Sequence, residues 1–370
     1  MNTTNFPSAE SAAKALCALY GNYGYKHFRM SKFEEYDFYA RNKNFLVSSN
    51  IITFTDLDGK LMALKPDVTL SIVKNAEYGH GAAQKVYYNE KVYRAEEGSR
   101  EFREITQTGL ECVGDIGFYD IAEVIMLAVK SLDLLSGAWI LDISHMGFVA
   151  GLLAHTGAAE KVKRELLTAI SEKNVPYITA ICAENGFSDA DTEKLAALAR
   201  LYSPFGEGME TLKSLSVNAE TDAAVAELER LYRVLSAAGL AANVYIDFSI
   251  VNDMNYYNGF IFRGYIEGIP QGVLAGGSYD NLLAKMKKKG SAIGFALYLD
   301  QLETLLVSDR RYDVDVLITY DAATATQIIV AAVNDCLADG KKVRVQKAND
   351  GSVSAKTVID LSGKDGGGNA

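Results

Sequence analysis

One segment, from Tyr245 to Gln301, constrains the fold more than any other part of the chain. Tyr245-Ile-Asp-Phe-Ser-Ile-Val-Asn252-Asp-Met-Asn-Tyr256-Tyr257-Asn-Gly259 leads into the alternating run Phe260-Ile-Phe-Arg-Gly-Tyr-Ile266. Gly276-Gly277-Ser278-Tyr279-Asp280 follows, and then Gly294-Phe-Ala-Leu-Tyr298-Leu-Asp300-Gln301. Apolar residues at period two, punctuated by a double glycine and closed by a helix-like stretch, predict antiparallel strands that turn back over a pocket. Glycines and tyrosines at the turns let backbone approach a ligand closely.

Upstream segments supply the rest of such a sheet. Residues 84–95 read as a strand ending near Arg94, and residues 102–114 as its antiparallel return. Gln107 and Glu111 are four apart, so in a strand they share a face with Ile105 and Gly109. Two polar residues there either line a site or lie on an uncovered sheet face. Residues 51–64 read as a hairpin around Asp58-Gly59, a type I′ turn signal. The hairpin delivers Lys65-Pro66-Asp67-Val68-Thr69 to a helix starting at Leu70, with Thr69 as N-cap. Asp67 and Thr69 therefore either cap that helix or flank a ligand amine.

Helical periodicity marks residues 8–22 and 118–135, and most of 147–238, with breaks at Asn185-Gly186 and Ser203-Pro204-Phe205-Gly206. Residues 314–319, 322–337 and 342–346 form a β-α-β pattern, and 357–361 a last strand. At 370 residues, 49% hydrophobic and 23% charged, the chain has the composition of a globular protein with a large core. A net charge of −10 weakens the case for nucleic-acid binding without excluding a local basic face. The one basic run, Lys285-Met-Lys-Lys-Lys289, reads as a solvated loop. Neither the cysteines (17, 112, 182, 336) nor the histidines (27, 80, 145, 155) have metal-ligand spacing, so free thiols and no metal are expected. No apolar run reaches the ~20 residues of a membrane span, and Met1–Glu10 lacks a signal-peptide core, which predicts a cytoplasmic protein.

The segment 245–259 resembles the histidine-specific signature of histidyl-tRNA synthetases, and 276–301 resembles their third class II motif. Tyr93-Arg94-Ala95-Glu96, the loop through Gly98-Ser99-Arg100, and Arg103-Glu104 leading to Gln107 and Glu111 resemble the second motif. Residues 26–34 sit where the first motif would be, with Ser31 at its proline position and Glu34 kept. The resemblance implies an α+β fold, a class II aminoacyl-tRNA synthetase-like antiparallel sheet flanked by helices over residues 1–305, with a helical insertion at about 147–240. It further implies a reduced anticodon-binding-like α/β domain at 306–362 and a disordered tail at 363–370.

It also implies a histidine site. Asp67, Thr69 and Gln107 would meet the ligand ammonium, Glu111 and Tyr257 would bracket the imidazole, and Tyr256 and Tyr279 would form walls. Arg94 would be a residual phosphate contact. The cations that stabilise adenylate formation are reduced: the signature arginine aligns with Asn252 and the third-motif arginine with Gln301, while Tyr298 replaces a glycine. Losing one such donor typically lowers the rate ~10²–10³-fold. An amino-acid pocket kept beside a damaged nucleotide pocket is similar to the regulatory subunits of ATP phosphoribosyltransferase. That family implies no catalytic residue and no cofactor, a dimer of this chain, a short-form catalytic phosphoribosyltransferase as partner, histidine as effector, and no tRNA. The alternatives are a divergent histidyl-tRNA synthetase and a binding module that senses histidine or uncharged tRNA.

Overall fold

A computed structural model describes residues 8–43, 46, 51–79, 81–95, 101–251, 256–302 and 312–364. The chain divides into two compact units, residues 1–304 and 305–370.

In the first unit the described strands build a nine-stranded sheet. In chain order these are β1 (Lys26–His27), β5 (Ala83–Ala95), β6 (Phe102–Gly114), β7 (Trp139–His145), β8 (Tyr202–Pro204), β9 (Val244–Asp247), β10 (Phe260–Ile266), β11 (Leu274–Ser278) and β12 (Ser291–Tyr298). Their spatial order is β1-β5-β6-β12-β11-β10-β7-β9-β8. The central run from β5 to β7 is antiparallel at every step. The alternating stretch 260–266 pairs on both sides, with Arg263 opposite Ala275 and Asp142. A smaller sheet, β2 (Phe33–Glu35), β4 (Leu61–Leu64) and β3 (Thr53–Thr55), is followed by helix α3 (Thr69–Asn75).

Helices cover one face of the large sheet. Helix α1 (Ala9–Asn22) starts at a Ser8/Ser11 capping box, and its Tyr20 packs edge-on to Phe295 at 5.9 Å while bonding Ser131 of α4 (Phe118–Leu135) at 2.9 Å. Leu132 of α4 fits against Gly264, where a Cβ would come within 2.7 Å of it. The helical block runs through α5 (Met146–His155), α6 (Glu160–Ser171), α7 (Val175–Glu184), α8 (Asp189–Arg200), α9 (Phe205–Leu215) and α10 (Ala219–Ala237). Its break at residues 202–204 is not a plain loop, because it joins the sheet as β8.

Three local expectations change. The 51–64 hairpin does not turn through a two-residue type I′ loop. Asp56 accepts from the backbone of Asp58 and Lys60 at 3.0 and 2.8 Å, and Gly59 alone adopts positive φ, at 82°. This side-chain clasp selects a longer turn with one left-handed residue. Thr69 is not the N-cap of α3, since Asp67 Oδ1 accepts from Leu70 N at 2.8 Å and Thr69 is already helical. The basic run is not wholly solvated either: Lys288 Nζ donates to the carbonyls of Lys74 and Ala76 at 3.0 and 2.6 Å, satisfying the end of α3. Burial holds that amine below its usual pKa.

In the second unit, β13 (Val314–Thr319) lies between β14 (Val343–Gln346) and β15 (Ala355–Asp360), all parallel, with α12 (Thr326–Ala338) packed on them. Its core is Val316, Ile318, Cys336 and Leu361. All four cysteines are free thiols, and only Cys17 is less than fully buried. Residues 365–370 of the expected tail lie outside the described residues.

The sheet leaves no room for side chains at its crowded centre. A Cβ on Gly109 would lie 2.2 Å from the Phe295 carbonyl oxygen and 2.6 Å from the Tyr88 hydroxyl. Gly109→Ala is expected to destabilise the first unit by about 2–3 kcal/mol. The check is a lowered urea midpoint at unchanged slope; an unmoved midpoint would show that β6 and β12 separate freely.

Candidate functional site

The central strands make the floor of a cavity of about 370 Å³. Asp67, Thr69, Arg94, Gln107, Glu111, Tyr256, Tyr257 and Tyr279, all singled out from the sequence, line this one cavity. Antiparallel pairing explains the convergence. Glu111 of β6 faces Gly294 of β12, Gly294 faces Gly277 of β11, and Gly277 faces Ile261 of β10.

Glu111 is 2% exposed, and each of its oxygens has a donor: Thr69 Oγ1 at 2.7 Å and Tyr279 Oη at 2.5 Å. A Cβ on Gly294 would sit 1.7 Å from Glu111 Oε2, so only glycine admits the carboxylate. Burial pushes the Glu111 pKa up to about 8; the Tyr279 and Thr69 hydrogen bonds oppose this and the Asp67 charge adds to it. Tyr257 lies over Gly277, where a Cβ would come within 2.6 Å of its ring. Tyr256 meets Tyr257 edge-on at 4.6 Å and Tyr279 at 6.1 Å, closing an aromatic wall.

The other acid is Asp67. Burial raises its pKa, opposed by Arg94 and by the backbone donors of Leu70 and Thr69. Arg94 lies 3.7 Å from Asp67 Oδ2 and donates through Nε to the Pro66 carbonyl at 2.8 Å. Gln107 is 3% exposed and pairs in register with Tyr298, which also lines the cavity. Lys65, expected beside Asp67, turns away: it is 1% exposed, pairs with Glu90, and lines a separate cavity of about 210 Å³. Asn252 and the loop 96–100 lie outside the described residues. Among the described residues no cluster of three or more His, Cys, Asp or Glu is placed to hold a metal, and no helix is long and apolar enough to cross a membrane.

Two polar lining residues, Tyr88 and Arg263, were not singled out from the sequence as part of the site. Tyr88 sits beneath Glu111 and Asp67, and burial followed by the Glu111 charge raises its pKa well above the usual value. Arg263 lines the opposite flank. The signal for Arg263 was a charge in the middle of an alternating apolar run.

Because Glu111 is held near 8 when folded and titrates near 4.5 when unfolded, the folded state prefers it protonated. Its contribution to stability is complete below pH 4.5 and is lost as pH rises through 8. Glu111→Gln removes that loss, so its thermal midpoint should gain on the wild type's between pH 5 and pH 8.5. Parallel curves across that range would mean that Glu111 is ionised at neutral pH.

Residues 3–302 match the family model described as histidyl-tRNA synthetase. The ATP phosphoribosyltransferase regulatory subunit of Oceanobacillus iheyensis is 27% identical over 312 residues, covering 82% of this chain and 76% of that one. The Clostridium acetobutylicum regulatory subunit is 28% identical over 341 residues, covering 88% and 82%. A crystal structure described as an ATP phosphoribosyltransferase regulatory subunit/histidyl-tRNA synthetase, from Bacillus halodurans, matches at TM-score 0.76 and 25% identity over 96% of this chain and 95% of that one. The ATP phosphoribosyl transferase (HisG:HisZ) complex of Thermotoga maritima matches at TM-score 0.62 and 20% identity, over 80% of this chain and 98% of that one. The α+β, class II synthetase-like fold expected from the sequence is thus the fold of these relatives. The chain belongs to the histidyl-tRNA synthetase family, and the regulatory subunits of ATP phosphoribosyltransferase are among its relatives there.

Proposed function

We propose that this chain is the regulatory subunit of an ATP phosphoribosyltransferase, without catalytic activity of its own, and that it reports free histidine to a short-form catalytic partner in histidine biosynthesis. The observation that carries the reading is the buried Glu111 carboxyl, held over Gly294 by Thr69 and Tyr279. An imidazole ring offers N–H donors to such a group, and passing the Glu111 proton to the ring makes the bond a carboxylate–imidazolium one, a charge-assisted contact that contributes about 1.5–3 kcal/mol. Ligands lacking the donor leave the acid unmatched and are rejected. Asp67 and Gln107 take the ammonium, and Tyr256, Tyr257 and Tyr279 enclose the ring.

The nucleotide half supports a role without catalysis. Gln301 and Asn252 stand where the synthetases carry arginines, and Tyr298 occupies cavity wall that a glycine would leave open to a nucleotide. In this reading the chain dimerises and sits in a cytoplasmic hetero-oligomer with its catalytic partner. It has no use for tRNA. Histidine inhibits because it binds two states of the assembly with different affinity; equal affinity would shift nothing. Arg94, kept in the cavity, favours a second reading, a divergent histidyl-tRNA synthetase.

Glu111→Ala is expected to co-elute with the catalytic subunit as the wild type does, and to raise the histidine concentration for half-inhibition by at least tenfold. Unchanged inhibition would remove Glu111 from the site. Histidine-dependent pyrophosphate exchange with ATP decides between the two readings: none is expected from this chain alone, and appreciable exchange would establish the synthetase.

A further inference from the structure

The cavity holds two guanidinium groups that are not equivalent. Arg94 is committed within the protein, to the Pro66 carbonyl through Nε and to Asp67 at 3.7 Å. Arg263 is half-buried, and its stem lies against Gly272, where a Cβ would come within 3.0 Å of it. It hydrogen-bonds the Tyr265 phenol, a neutral partner. Among the described residues no carboxylate comes within ion-pair distance of Arg263. Asp142, opposite it in register on β7, feels the Arg263 charge without pairing with it. That acid is buried beside Asp247, which in turn pairs with Lys173 at 2.9 Å. Among the described residues Arg263 is therefore the cavity cation without a carboxylate partner.

Its position follows from strand register. Arg263 faces Ala275, Ala275 faces Ala296, and Ala296 faces Gly109. This row runs one side-chain step from the row Glu111, Gly294, Gly277 and Ile261, on the same sheet face. Gln107 and Tyr298 belong to the next step beyond. A ring held over Gly294 and Gly277 thus places the rest of an amino acid above Ala296 and Ala275, where the floor is low. On the β6 flank of that floor stand Gln107 and Asp67, both suited to an ammonium. On the β10 flank stands Arg263, about two strand spacings, or ~10 Å, from β12. The ring and ammonium ends of the site are then accounted for, and among the described residues an α-carboxylate has one cationic neighbour left to meet.

We propose that Arg263 is the residue that selects the free α-carboxylate of the bound amino acid, a task the sequence resemblance assigns to no residue retained in this chain. The inference rests on the histidine reading of the cavity. Its consequence is that the site distinguishes the free acid from its alcohol or amide. Arg is suited to this because its planar fork matches a carboxylate bidentately.

The test is calorimetric titration of the full chain with L-histidine and with L-histidinol, which carries a hydroxymethyl group in place of the carboxylate. Arg263→Gln is expected to weaken histidine binding ~10–100-fold, the range of one charge-assisted contact, and to leave histidinol within twofold. An equal loss for both ligands would give Arg263 a merely structural role, and no loss for histidine would give it none; either result overturns the inference while leaving the proposed function standing. A wild-type chain that binds no histidine overturns the proposed function itself. Thermal midpoints report whether each variant folds. Should Arg263→Gln fail to fold, Arg263→Lys decides. It keeps the charge without the fork, so the histidine-to-histidinol affinity ratio should fall several-fold, and an unchanged ratio overturns the inference.

Discussion

The carboxyl of Glu111 is the constraint around which the cavity is arranged. A buried acid is tolerable only if its oxygens are matched, and the two donors come from distant parts of the chain: Thr69 at the start of α3 and Tyr279 just after β11. Space for it is created by a third element, since Gly294 of β12 must lack a Cβ. The acid therefore ties the small-sheet segment, the central strands and the β11–α11 (Asp280–Lys285) junction together. Asn258 and Asp280 brace the same junction, with Asn258 Nδ2 donating to Asp280 Oδ2 at 2.9 Å and Asp280 Oδ1 accepting from Ala292 N at 2.8 Å. Removing water from this carboxyl raises its pKa and makes any matching ligand donor more valuable than it would be at a surface.

The distribution of charge around that acid separates recognition from activation. Asp67 and Glu111 have neutral or backbone donors and one committed guanidinium, which suits a small zwitterion with a ring. Forming an adenylate asks for cations arranged along a phosphate chain, and two of the aligned positions carry amides instead, Asn252 and Gln301. Selective binding without chemistry is what a sensor requires. A ligand that shifts an equilibrium from 1:99 to 99:1 must favour one state ~10⁴-fold, about 5.5 kcal/mol. In the proposed reading a buried acid, an ammonium site and a carboxylate site, each worth about one to three kcal/mol, reach that range together, whereas no one of them does alone.

Much of this arrangement was legible in the sequence because strands encode their faces at period two. Gln107 and Glu111 were placed on one face by spacing alone, and the double glycine marked the strand over which Tyr257 lies. Helices α1 and α4 followed from their apolar period. What escaped depends on contacts remote in sequence or on competition between short polar groups. Thr69 reads as an N-cap, yet Asp67 two residues earlier reaches Leu70 N and frees the Thr69 hydroxyl for Glu111, forty-two positions away. Asp58-Gly59 signals a two-residue turn until the Asp56 carboxylate clasps the backbone ahead of it. Lys288 reads as solvated because nothing local shows that the end of α3 lies beneath it.

Asp67 joins the cavity to the backbone around it. One oxygen caps α3 through Leu70 N, and the other faces Arg94, whose Nε holds the Pro66 carbonyl. In the proposed reading, an ammonium at Asp67 enters a network whose other members are the first turn of α3 and the segment that leads into it. The far end of α3 is fixed by Lys288, so a change at its N-terminus is carried by the helix as a unit or by residues 65–67. Lys65, buried and paired with Glu90, anchors that segment to β5. The cavity and the small sheet β2–β4 therefore meet at a three-residue stretch, Lys65-Pro66-Asp67, held by Glu90 at Lys65, by Arg94 at the Pro66 carbonyl, and by Leu70 N and Arg94 at Asp67.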